Sequence, residues 1–142
     1  SEFCQELVEE MRSVCKENQQ IQYTHEGESE VCIDRHLLKN VLINLLSNAT
    51  KYSESGKNIF LRTRKNENNI TFEVQDQGIG IPEQDQAHVF DRFFRAHNSG
   101  TIQGTGLGLN IVMKYIQLMQ GNIRLESQLN RGTTVYVEIP NC

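Results

Sequence analysis

The chain has 142 residues, 37% of them hydrophobic and 23% charged, which suits one ordinary globular domain with its own core and is too few for two. Its formal net charge of -4 argues against a general nucleic-acid binder, whose phosphate contacts need a basic surface, but excludes nothing that needs only a few local cations. No apolar run approaches the roughly 20 residues of a spanning helix, and the start shows no signal-peptide pattern.

Cys4, Cys15, Cys32 and Cys142 are scattered and form no C-x-x-C pair, so free thiols in a reducing cytosol are expected rather than a zinc site. The expectation is a single soluble, cytoplasmic domain over residues 1–142, monomeric on its own. Its parent protein is free to be membrane-anchored elsewhere. Ser1-Glu2-Phe3 is compatible with a cloning remnant.

The first predicted helix, within residues 1–20, carries Cys4, Leu7, Val8, Met11, Val14 and Cys15 as one apolar stripe. Ile21 to Glu26 and Val31 to Asp34 read as short strands parted by Gly27. The second helix repeats Leu37, Leu38, Val41, Leu42, Leu45, Leu46 and Ala49 at helical period, with Asp34 as its N-cap and an end near Ser53 to Gly56. Two alternating strands follow, Ile59 to Arg64 and Ile70 to Gln75, joined by a turn over Asn66 to Asn69. A third helix spans about Gly106 to Met119. A final hairpin pairs Asn122 to Gln128 with Thr133 to Ile139 around Asn130-Arg131-Gly132.

These elements predict an α+β fold. It is a two-layer sandwich, with three helices on one face of a mixed, largely antiparallel sheet of about five strands. About 20 residues between Pro82 and Gly104 lack a sustained pattern, apart from a short segment at Ala87 to Phe94. A stretch that long in a small domain is usually functional, as a lid or a binding loop.

Asn44, Asn48, Lys51 and Tyr52 stand at offsets that stack them along the margin of the second helix's apolar face. Asparagine is poor in helix interiors, so two of them one turn apart need a reason. They are either solvated surface amides or a metal- and phosphate-facing edge. In the second case an amide oxygen serves as a hard ligand, the lysine as a mobile cation and the tyrosine ring as a stacking surface.

The strand Phe72-Glu73-Val74-Gln75 runs into Asp76-Gln77-Gly78-Ile79-Gly80. A carboxylate at a strand end, followed by two glycines, lets backbone turn close to a flat ligand while the carboxylate accepts from an exocyclic amine. An ordinary tight turn with Asp76 as its turn former is the plainer reading. Gly104-Thr105-Gly106-Leu107-Gly108-Leu109 opens the third helix, where unpaired N–H groups and the positive dipole end offer a phosphate seat. Its G-x-G-x-G spacing fits neither a dinucleotide fingerprint nor a P-loop. Among Val89 to Arg95, the phenylalanines read as a loop anchor, whereas Arg92 and Arg95 lie between the two glycine clusters where a phosphate contact is electrostatically sensible.

Together, Asn44-Leu45-Leu46-Ser47-Asn48-Ala49-Thr50-Lys51-Tyr52, Asp76-Gln77-Gly78-Ile79-Gly80, Phe90-Asp91-Arg92-Phe93-Phe94-Arg95 and Gly104-Thr105-Gly106-Leu107-Gly108-Leu109 resemble the N, first G, F and second G boxes of sensor histidine kinases. That family belongs with gyrase-, Hsp90- and MutL-type ATPases in the Bergerat-fold superfamily. The resemblance covers about Val31 to Pro140. It implies binding of ATP with Mg²⁺ and transfer of the γ-phosphate to a histidine on a separate dimerisation domain of the same protein, which then serves a response regulator. It further implies that Asn48 ligates Mg²⁺, Asn44 lines the metal-phosphate region, Lys51 and Arg95 contact phosphate, and Tyr52 packs on adenine. Asp76 would accept from the adenine amine, Gly78 and Gly80 would shape that pocket, and Gly104, Thr105, Gly106, Leu107 and Gly108 would cradle phosphates. Thr134, or its neighbour Thr133, would complete the adenine site, and residues 83–103 would form the ATP lid.

Gln77 departs from the commoner Asn or Thr. The family's phosphoacceptor motif, H-[ED]-x-x-[TSN]-P, is missing: His36 stands in the wrong context, and His25, His88 and His97 fall in strand or loop. Asn44 stands where the hydrolase relatives carry a glutamate to activate water, and where anti-sigma serine kinases commonly have an acidic residue. That favours a histidine kinase over both. A non-catalytic ATP-binding regulatory module is the competing class.

Overall fold

The computed structural model describes residues 2–12, 19–27, 34–53, 56–80, 108–128 and 131–140. The helix stripe beyond Met11, the strand expected at Val31 to Asp34 but for Asp34 itself, the lid with Arg95, and Gly104 to Leu107 lie outside the described residues.

The described elements are α1 (Glu2–Met11), β1 (Gln20–Glu26), α2 (Arg35–Tyr52), β2 (Asn58–Lys65), β3 (Asn69–Gln75), α3 (Gly108–Leu118), β4 (Asn122–Gln128) and β5 (Gly132–Pro140). The strands form one mixed sheet in the order β1-β2-β3-β5-β4. Only β1 and β2 run parallel, in register from Gln20 opposite Asn58 to Glu26 opposite Arg64. A parallel pair needs a crossover, and α2 lies between them in sequence to supply it. The other three pairings are antiparallel.

Strand alternation puts Ile59, Leu61, Ile70, Phe72, Val74, Val135, Val137 and Ile139 into one buried layer. There they join Leu7 and Val8 of α1, Val41, Leu42, Leu45 and Leu46 of α2, and Val112 and Ile116 of α3 in a single cluster. The sandwich expected from the sequence is therefore present. Its opposite face is a polar lattice. Arg62, Glu73, Tyr136 and Arg124 stand in one row across four strands, and the Arg124 guanidinium lies 3.9 Å from the Tyr136 ring centre. No described helix is long and apolar enough to cross a membrane.

Both ends of α2 are capped by side chains. Asp34 Oδ1 accepts from the N–H groups of His36 and Leu37, at 3.0 and 3.1 Å. At the other end the buried Gln19 amide donates to the carbonyls of Thr50 and Ser53, at 3.2 and 3.0 Å, filling acceptors that a helix terminus leaves open. The helix α3 closes with Gln120 N–H to Gln117 O and Gly121 N–H to Ile116 O, at 3.0 and 2.9 Å. This is a Schellman turn whose left-handed residue is Gln120, at φ 60. It starts at Gly108 and ends at Leu118, just inside the limits expected from the sequence.

Candidate functional site

Burial at every second residue of β3 puts Asp76 on the same face as Ile70, Phe72 and Val74, one step beyond the strand end. The chain turns there through the buried Gly78 and Gly80, the latter at φ 72. The first tie is local: Asp76 Oδ1 accepts from the Gly78 N–H at 3.0 Å. The second crosses the sheet, for the same oxygen accepts from the Thr133 N–H at 3.0 Å. Asp76 N–H in turn donates to Thr133 O at 2.9 Å.

So tight an approach requires Gly132. Its φ is 124, and a Cβ there would sit 2.1 Å from the Asp76 carbonyl oxygen. Behind it, Ser127 Oγ donates to Gly132 O at 3.1 Å and lies 2.8 Å from Thr133 Oγ1. Burial pushes the Asp76 carboxyl up to about 6 from 3.8, although the Gly78 and Thr133 N–H groups pull the other way. Two N–H groups thus hold one oxygen of a costly buried carboxylate, and the second oxygen remains as an acceptor.

Thr133 alternates in phase with Val135 and Val137 and so shares the face of Asp76. Thr134 alternates with Tyr136 and Glu138 on the opposite face. The structure therefore brings Thr133, rather than Thr134, to the carboxylate. Gln77 is not idle either: its Oε1 accepts from the Asn58 N–H at 3.1 Å and ties the glycine turn to the start of β2.

The other candidate groups gather at this end of the sheet through a chain of contacts. Gln19 fastens the last turn of α2 to the residue before β1. The start of β1 pairs with the start of β2, and Phe60 of β2 pairs with Gln75, beside Asp76. The turn of α2 that carries Lys51 and Tyr52 is therefore at the Asp76 end. Those two residues belong to the helix, and their side chains lie outside the described residues.

The far end of α3 can be placed in the same way. Gly121 follows its closing turn and lies against the Glu138 carbonyl, whereas Asp76 lies at the Gly132 end of β5. The C-terminal turn of α3 is therefore at the end of β5 away from Asp76, and Val112 and Ile116 carry the helix across the buried layer.

Along α2, Asn44 and Asn48 are both half-buried. Asn44 Nδ2 donates to Asn40 O at 2.8 Å, and Asn40 Nδ2 to His36 O at 3.0 Å. That bond uses one of the two N–H donors of the Asn44 amide and points to its amide oxygen as the atom suited to a cation. Among the described residues no group of three or more His, Cys, Asp or Glu side chains could hold a metal. Ser127 and Gln19 carried no signal in the sequence. Each is polar in a position where alternation or a loop explains it, and its partner is distant in the chain.

Residues 33–141 match the family described as histidine kinase-, DNA gyrase B-, and HSP90-like ATPase. The signal transduction histidine-protein kinase ArlS of Staphylococcus aureus is 40% identical over 107 residues, which cover 74% of this chain and 24% of that protein. The chain thus spans about a quarter of the length of such relatives. Among solved structures, a mycobacterial sensor histidine kinase, MprB, superposes with a TM-score of 0.86 at 28% identity, covering 99% of this chain and 94% of that one. The catalytic domain of histidine kinase ThkA gives 0.77 at 29% identity, covering 98% and 90%.

Proposed function

Given that this chain belongs to the histidine kinase-, DNA gyrase B- and HSP90-like ATPase family, as an ATP-binding domain of the sensor histidine kinase type, we propose that it binds Mg²⁺-ATP and presents the γ-phosphate to a histidine on another domain of its parent protein. A response regulator would then take the phosphate. The observation that carries this reading is Asp76, a carboxylate with one oxygen committed to two N–H groups and one left to accept. The adenine amine fits that acceptor. Gly78 and Gly80 would let the ring approach the turn, and Tyr52 would pack on it.

From Asp76 the nucleotide would extend along α2 towards Asn48 and Asn44, with Lys51 reaching a phosphate oxygen and the N-terminus of α3 facing the negative charge. Gly104 to Leu107 and Arg95 would add contacts. Mg²⁺, when bound, would neutralise charge between phosphates; the amide oxygen of Asn48, with phosphate oxygens, is the donor set proposed for it. Amide and phosphate oxygens are hard donors and suit that ion. Phosphoryl transfer of this kind depends on positioning and charge neutralisation more than on a covalent protein group. No carboxylate stands at Asn44, where the hydrolase relatives place a base, and this supports transfer to a histidine over hydrolysis.

The test is trans-phosphorylation. This chain is mixed with a cognate helical domain carrying the acceptor histidine and with γ-labelled ATP. Acid-labile, alkali-stable label on that domain is expected, with none on this chain. Tight Mg²⁺-ATP binding without any transfer would instead assign a non-catalytic nucleotide-sensing module.

A further inference from the structure

The hairpin β4–β5 holds a serine that neither the sequence motifs nor the proposed nucleotide contacts include. Ser127 stands directly opposite Thr133 in the sheet register. Its hydroxyl has one proton, and Gly132 O, 3.1 Å away, can only accept. Either hydroxyl can donate across the 2.8 Å contact between Ser127 Oγ and Thr133 Oγ1; when the Ser127 proton is on Gly132 O, it is Thr133 that donates. The Thr133 hydroxyl then has only lone pairs for a ligand. Beside it stands Asp76, joined to Thr133 by two backbone-mediated hydrogen bonds and likewise an acceptor.

We infer that Ser127 is a positioning residue that determines base specificity: by fixing the Thr133 hydroxyl as an acceptor, it makes this corner of the site accept an amine and reject a carbonyl. The inference rests on the adenine-site reading above. Two adjacent acceptors match the two N–H bonds of one 6-amino group. A 6-oxo purine would bring an oxygen lone pair against both. Without Ser127, the Thr133 hydroxyl can rotate and offer its proton to that oxygen.

The experiment measures dissociation constants for Mg²⁺-ATP and Mg²⁺-ITP by calorimetry on the chain and on Ser127→Ala, Ser127→Thr, Thr133→Val and the Ser127→Ala/Thr133→Val double variant. The original chain should prefer ATP by about 100-fold or more. Ser127→Ala should narrow that ratio about tenfold, chiefly by improving ITP, and Ser127→Thr, which keeps the hydroxyl, should restore it. In the Thr133→Val background, Ser127→Ala should leave the ratio unchanged, because the hydroxyl it acts through is gone.

If Ser127→Ala weakens both nucleotides in equal proportion, or changes neither, Ser127 has at most a structural role and the inference fails while the adenine site stands. Should the original chain bind ATP no better than ITP, the adenine-site reading falls and the inference with it. Should Ser127→Ala not fold, as judged by circular dichroism, Ser127→Cys supplies the same ratio with a weak donor in place of the strong one. An unchanged ratio there overturns the inference as well.

Discussion

Asp76→Asn should make the protein more stable and greatly weaken nucleotide binding at the same time. The side chains are isosteric, and an amide oxygen can still accept from the Gly78 and Thr133 N–H groups that hold Oδ1. The replacement removes a buried charge. A carboxyl raised from 3.8 to about 6 costs the folded state on the order of 3 kcal/mol above pH 6, at about 1.4 kcal/mol per unit. The sign follows from proton counts. Below about pH 4 the group is protonated whether the chain is folded or not. Between roughly 4 and 6 the unfolded chain releases its proton first, so the original protein loses stability as pH rises, and the loss is complete above about 6.

The amide does not titrate, so Asp76→Asn should show none of this loss and should melt higher at pH 8, by an amount on the order of 10 °C at most. Binding moves the other way. The free oxygen becomes an NH₂ that faces the adenine amine donor to donor, which should cost about 100-fold or more in affinity. Thermal melts from pH 4 to 8 and calorimetry with Mg²⁺-ATP read both effects. A variant that melts below the original chain at pH 8, or that keeps its ATP affinity, refutes the reasoning.

Gly132→Ala should destabilise by roughly 3 kcal/mol in urea titrations, because a methyl group at φ 124 meets the Asp76 carbonyl and forces the hairpin away; an unchanged midpoint would show that the approach is not required. Gln120→Gly should stabilise by about 1 kcal/mol, relieving a left-handed residue in the turn that closes α3. Asn48→Ala should weaken ATP binding roughly tenfold in Mg²⁺ and leave metal-free ATP binding nearly unchanged. An equal loss with and without the ion would remove Asn48 from the metal site.

Much of the architecture was legible in local pattern. The apolar period of α2, its Asp34 cap, the alternation of β2 and β3 and the glycine of the last hairpin each report on a few neighbouring residues, and the observed elements agree with them. The α+β sandwich follows from such faces, because an apolar stripe and an alternating sheet can be buried only against each other. The family was legible for a similar reason: its motifs constrain residue type and order along the chain, and the match over residues 33–141 agrees.

What the sequence could not decide depends on contacts between distant residues. The parallel placement of β1 beside β2, the capping of α2 by Gln19, and the gathering of the end of α2 and Asp76 at one end of the sheet all follow from strand order and register. Register also separates Thr133 from Thr134, since one step along a strand moves a side chain to the opposite face. The contacts of Ser127 with Gly132 and Thr133 exist only once β4 and β5 are paired. The raised pKa of Asp76 likewise arises from burial by segments far from it in sequence, which no local pattern encodes.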